Sequence, residues 1–240
     1  MNMDASSTRP LGAAGRGAAA IDAGLRRYML SVYNYMAAGL GVTGLVAYVA
    51  VATGFYQQIA ATPLIWVVML APLAAVLFLS FRIERMAIGT AQAVFWGFAA
   101  IMGLSLAGIL LIYTGTSIAR VFFISAGTFA AMSLYGYSTN RDLSRFGSFL
   151  FMGLIGIVLA SIVNIFVGSS ALQFAISVIG VLLFTGLTAY DTQRIKQVYF
   201  DAAATGDLAK PALMGAVTLY LDFINLFVML LQLTGSRRER

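Results

Sequence analysis

Residues 212–233 read ALMGAVTLYLDFINLFVMLLQL. As a helix rising 1.5 Å per residue, this apolar run reaches about 33 Å, enough to cross the roughly 30 Å hydrocarbon layer of a bilayer. One letter resists that reading. Asp222 lies about ten residues in, where a carboxylate costs about 3 kcal/mol on insertion scales. Such a residue faces the protein interior and is retained for a partner or a function.

The rest of the composition agrees with a membrane solvent. Of 240 residues, 60% are hydrophobic and 10% charged, and the mean hydropathy is +0.89; a soluble domain carries about a quarter charged residues. The chain is therefore expected to be an all-α integral membrane protein. It has neither cysteine nor histidine, which removes disulfides, thiolate nucleophiles and histidine-based metal sites or proton shuttles. An intramembrane hydrolase, whose zinc is held largely by histidines, is the least favoured reading on the same ground. No enzyme activity and no bound cofactor are expected.

Six further apolar runs of spanning length precede the first one, at about 28–54, 63–81, 86–113, 121–138, 147–167 and 171–190. Most separating segments are short, the one between the sixth and seventh runs being longer, so consecutive helices are antiparallel neighbours and the two termini lie on opposite sides. With the N-terminus cytoplasmic, eleven of the fifteen Lys and Arg residues fall on the inside and four outside, namely Arg120, Arg237, Arg238 and Arg240. This positive-inside bias predicts N-in, C-out, although the three terminal arginines would sit inside if one segment were re-entrant. The net charge of +6 is then a topology signal and a contact with anionic headgroups, with no case for nucleic acid. Residues 1–27, Gly/Ala-rich without an apolar core, are expected to form a disordered cytoplasmic tail. Residues 28–235 form the membrane domain, and 236–240 a short basic tail.

Nine acidic residues occur, and seven of them lie in tails, loops or beside arginines. Asp191 and Asp222 remain. Asp191 ends the sixth run in GLTAYDTQRIK, a turn or two from the cytoplasmic interface, and Asp222 lies about 15 Å along the seventh helix from the same side. Because the two helices are consecutive and antiparallel, their carboxylates can share one interior site. Two carboxylates in a dry interior cannot both ionise: one retains a proton, or a cation neutralises the pair. The first outcome is a pH sensor, and the second is an all-oxygen site suited to transient contact with calcium. A structural alternative is an ion pair with Arg82 or Arg85 at the cytoplasmic end of the second span. A further pattern is a shared Tyr-x-Thr-amide-Arg frame at Tyr137–Arg141 and Tyr190–Arg194, compatible with a remnant of parallel repeats or with convergent helix-end chemistry.

GLTAYDTQRIK at 186–196, LYLDFINLFVMLLQLTG at 219–235 and GYSTNRDLS at 136–144 resemble the transmembrane Bax inhibitor motif family, also called the Bax inhibitor-one family, in its bacterial form. The resemblance extends over essentially all of the chain after about residue 28. It implies seven helices, six around a central C-terminal one, in the bacterial inner membrane. It also implies a pH-sensitive calcium leak, with Asp191 and Asp222 matching the family's paired pore aspartates. The family's gating arginine at the end of the second helix matches Arg82 or Arg85, the register of FRIERMAIG leaving both open. An acidic residue that some members carry within the second helix has no counterpart in APLAAVLFLS. The alternative implied function is that of an interaction protein modulating a membrane-embedded protease or another partner without conducting ions, with the N-terminal tail and the sixth-to-seventh loop as handles.

Overall fold

A computed structural model describes residues 11–203 and 206–238, with side-chain surroundings described from residue 21 onward. Helix α1 spans Leu11–Ala52, α2 Phe55–Ala60, α3 Leu64–Arg82, α4 Ile88–Ile112, α5 Gly115–Ser138, α6 Ser144–Val167, α7 Ser170–Ala203 and α8 Ala209–Thr234. A 3-10 turn, Ile83–Arg85, follows α3. Seven of these helices, all but α2, are long and apolar enough to cross a membrane, and they coincide with the seven predicted runs. The punctuation is local. Gly54, Gly168 and Gly206 adopt φ of 74°, 64° and 79°, left-handed values that end a helix at little steric cost only for glycine. The Thr114 hydroxyl accepts from the Ser117 amide and starts α5.

The pattern of burial is that of a protein dissolved in lipid. Large apolar side chains such as Trp66, Phe149, Phe166 and Leu182 point outward, because without water outside there is no drive to hide them. What the bundle buries is the surface of α8: Leu213, Leu219, Tyr220 and Leu226 are fully enclosed. That helix packs against α1, α4, α5 and α7, while α3 lies on α4 and α6 on α7. It is the most enclosed span. The ring of six helices around one is not reproduced in full: four helices flank α8 closely, and a half-buried stripe of it is left between α7 and α4.

Two expectations are corrected. Residues 11–27, read as disordered, belong to α1. Alanine-rich sequence favours helix, and from Gly24 onward packing adds to it: a Cβ at Gly24 would collide with the Tyr199 hydroxyl, Leu25 is buried, and the Tyr28 and Tyr199 rings stack 5.5 Å apart. Residues 1–10 lie outside the described part. The predicted long connection between the sixth and seventh spans is helical up to Ala203, anchored by the same Tyr199 and by Ile195 against Gly215. The C-terminal basic tail is bonded in place as far as Arg238: the Thr114 amide donates to the Ser236 carbonyl (3.1 Å), the Ser236 amide to Ser117 Oγ (2.9 Å) and the Arg238 amide to the Ile112 carbonyl (2.9 Å). The C-terminus and the α4–α5 turn thus share one face. The α3–α4, α5–α6 and α7–α8 turns lie at the other.

Candidate functional site

The extension of α7 decides where its aspartate lies. Asp191 stands twelve residues before Ala203 and Asp222 thirteen after Ala209, so each is about 18–20 Å from the α7–α8 turn. The depth offset expected from the sequence disappears. Asp191 and Asp222 face each other across the α7–α8 contact within hydrogen-bonding reach, and are only 9% and 5% exposed. Asp222 Oδ2 is buried with no protein partner. A cavity of about 540 Å³ between α6, α7 and α8 receives both carboxyls, together with Ser148, Tyr190, Arg194, Thr218 and Asn225.

Neighbouring helices hold α7 in this rotation. On its far side the Tyr33 hydroxyl lies 2.5 Å from Ser133 Oγ, which lies 3.0 Å from Thr192 Oγ1. The Gln193 amide donates to the Arg141 carbonyl and accepts from the Leu143 amide, both at 2.8 Å, and Lys196 Nζ donates to the Tyr137 carbonyl at 2.9 Å. With Thr192, Gln193 and Lys196 committed to the α5–α6 corner, Asp191 is left facing the cavity. That corner also sits within about a turn of Asp191, so the site lies near one face of the bundle although α7 continues past it. Gly136 makes the approach of α5 possible: a Cβ there would fall 2.2 Å from the Ala189 carbonyl oxygen.

Of the residues predicted for this site, the two aspartates come together and the two arginines do not join them. Arg82 and Arg85 are exposed at the end of α3 and in the turn that follows, and neither lines the cavity. The charge acting on Asp191 is Arg194, three residues further along the same helix. The sequence contained that signal as an i, i+3 Asp–Arg spacing, which puts both on one helical face. Asn225, whose residue type within a span suggests interhelical hydrogen bonding, lines the cavity instead, and Thr218 and Ser148 carry no sequence signal of the site, because nothing in sequence shows which helix faces converge. The two Tyr-x-Thr-amide-Arg frames differ in context: Thr139 terminates α5 and accepts from the Arg141 amide, whereas Thr192 is buried in mid-helix. Among the described residues no group of three or more Asp and Glu is placed to hold a metal ion.

The model of the family described as "Inhibitor of apoptosis-promoting Bax1" matches residues 25–239. Among similar proteins, RP147 of Rickettsia prowazekii is 51% identical over 91% of this chain and 93% of its own length. The Escherichia coli inner membrane protein YbhL is 47% identical over 90% of this chain and 94% of its own. A Caulobacter vibrioides protein is 45% identical, covering 91% and 92%. With seven apolar spans, a buried carboxyl pair and a family match over nearly its whole length, the chain belongs to the Bax inhibitor-1 family of integral membrane proteins.

Proposed function

We propose that this protein is a pH-sensitive cation leak channel of the bacterial inner membrane, with calcium as the favoured ion and the N-terminus in the cytoplasm. The observation that carries the reading is the facing pair Asp191 and Asp222 in a cavity between spans, with Asp222 Oδ2 unpartnered. Two such carboxyls carry either a shared proton or a cation, so the charge of the site changes with pH. Asn225, Thr218 and Ser148 add neutral oxygen ligands. This set falls short of the roughly six to eight oxygens, several of them anionic, that hold calcium tightly; it suits passage better than storage.

Arg194 lies three residues from Asp191 on the same helix, so in this reading it favours the charged form of that carboxyl without tying α7 to a neighbour, and tunes the pH at which the pair takes up its proton. The proton changes the charge of the cavity and with it the hold on a cation. The test is calcium flux into liposomes holding only this protein, between about pH 5 and 8. The expected result is wild-type flux that varies with pH, with Asp191→Asn and Asp222→Asn each altering that dependence. Flux no greater than in empty liposomes would refute conduction and turn the search to a membrane partner such as a protease.

A further inference from the structure

Helix α8 is enclosed on all sides but one. Met214, Thr218, Leu221, Asn225, Val228 and Met229 form a half-buried stripe that ends at the exposed Gln232, and their spacing of three and four places them on a single helical face. The stripe carries polar residues on either side of Val228 and Met229. Thr218, Asp222 and Asn225 open into the carboxylate cavity. Gln232 opens into a second, larger cavity of about 1100 Å³ at the C-terminal face, shared with Gln173, Tyr113, Arg237 and Arg238. Gln173 donates to Gln232 at 2.8 Å and Ser177 donates to it at 3.2 Å, so α7 mirrors the pattern: Asp191 at one end, Ser177 and Gln173 at the other.

Between Asn225 and Gln232 the stripe carries only Val228 and Met229, over seven residues or about 10 Å. Opposite them on α7 stands Gly180. A Cβ on Gly180 would lie 2.9 Å from both Cγ and Sδ of Met229, so the methionine side chain rests in the notch that the missing side chain leaves. Neither Gly180 nor Met229 lines either cavity. An unbranched, flexible side chain seated on a glycine can swing away without moving backbone, and short apolar constrictions close pores by excluding water.

We propose that the α7–α8 seam is a water path open at both ends and closed by one apolar layer, in which Met229 seated on Gly180 is the barrier. The inference deepens the leak reading and draws its physiological meaning from it, yet its test needs no ion flux. The chain has no cysteine, so Asn225→Cys and Gln232→Cys each provide a single thiol in vesicles of fixed orientation. A membrane-impermeant cationic thiosulfonate is then added on one side or trapped on the other.

The expected result is that Asn225→Cys reacts only from the face bearing the α5–α6 turn, and Gln232→Cys only from the C-terminal face. Adding Met229→Ala should let Asn225→Cys react from the C-terminal face as well, at least about tenfold faster than with Met229 present. Met229→Leu, which keeps the bulk, should not. Reaction of either thiol from both faces with Met229 in place, failure of both to react, or no effect of Met229→Ala would each overturn the barrier. Should the alanine variant fail to reach the membrane, Met229→Val is read by the same criteria. Sided labelling without calcium flux would keep the barrier and refute the leak; flux with unsided labelling would do the reverse.

Discussion

Replacing Gly136 by alanine should pry α5 from α7 at the level of the carboxylate site. The added Cβ would lie 2.2 Å from the Ala189 carbonyl oxygen and 2.9 Å from Ala189 Cα and carbonyl carbon, where ordinary contact begins near 3.4 Å. The obstacle is backbone, which cannot swing aside, so the helices must separate by about 1.2 Å, the difference between those distances. A shift of that size stretches the Lys196–Tyr137, Gln193–Arg141 and Ser133–Thr192 contacts, now 2.8–3.0 Å, beyond hydrogen-bonding distance. Overpacking costs about 1–3 kcal/mol and each lost hydrogen bond about 1 kcal/mol. Partial relaxation and the better helix propensity of alanine offset some of this, leaving a loss of about 2–4 kcal/mol. Gly127→Ala on the same helix is the control, because a Cβ there meets nothing within 4 Å. The two variants are compared by reversible unfolding in mixed micelles. Equal stability would refute the claim that α5 and α7 touch backbone to backbone at this point.

Other outcomes follow from the same geometry. Arg194→Gln should shift the pH range over which calcium flux changes, while Arg82→Gln and Arg85→Gln leave it in place; a large effect of either α3-end variant would reinstate the arginine that family resemblance suggested. Thr43 Oγ1 lies 2.6 Å from the Tyr220 hydroxyl and 2.9 Å from the Gly39 and Ala99 carbonyls. Thr43→Val should therefore cost about 1–3 kcal/mol by stranding a buried hydroxyl, and the same unfolding assay should show Tyr220→Phe restoring part of the loss in the double variant. Asp142 accepts from the Ser144 amide at 2.9 Å, which holds its carboxyl below the usual range. Its small stabilising contribution is thus complete above the ordinary aspartate value and lost as pH falls through the lowered one; unfolding measured from pH 5 downward should lose that limb in Asp142→Asn. In intact cells, an impermeant thiol reagent should label Arg237→Cys, and should reach Arg141→Cys only after permeabilisation. The reverse pattern would overturn the inward N-terminus.

Seven spans and the pairing of Asp191 with Asp222 were legible in the chain itself. Lipid demands runs of about twenty apolar residues, and a charge inside such a run stands out against it. The sixth and seventh runs are consecutive, which puts the two aspartates on antiparallel helices that can be neighbours. Which residues complete the site was not legible, since that depends on helix rotation and length. Tyr199, buried against Tyr28 and Gly24, carries α7 on to Ala203 and brings the two aspartates to equal depth. Gln193 and Lys196, bonded to the α5–α6 corner, turn Asp191 and Arg194 toward the cavity while Arg82 and Arg85 stay outside it. Composition and periodicity determine that a helix forms and crosses the membrane. Its rotation is decided only by contacts between residues 50 to 180 positions apart, which local sequence does not encode.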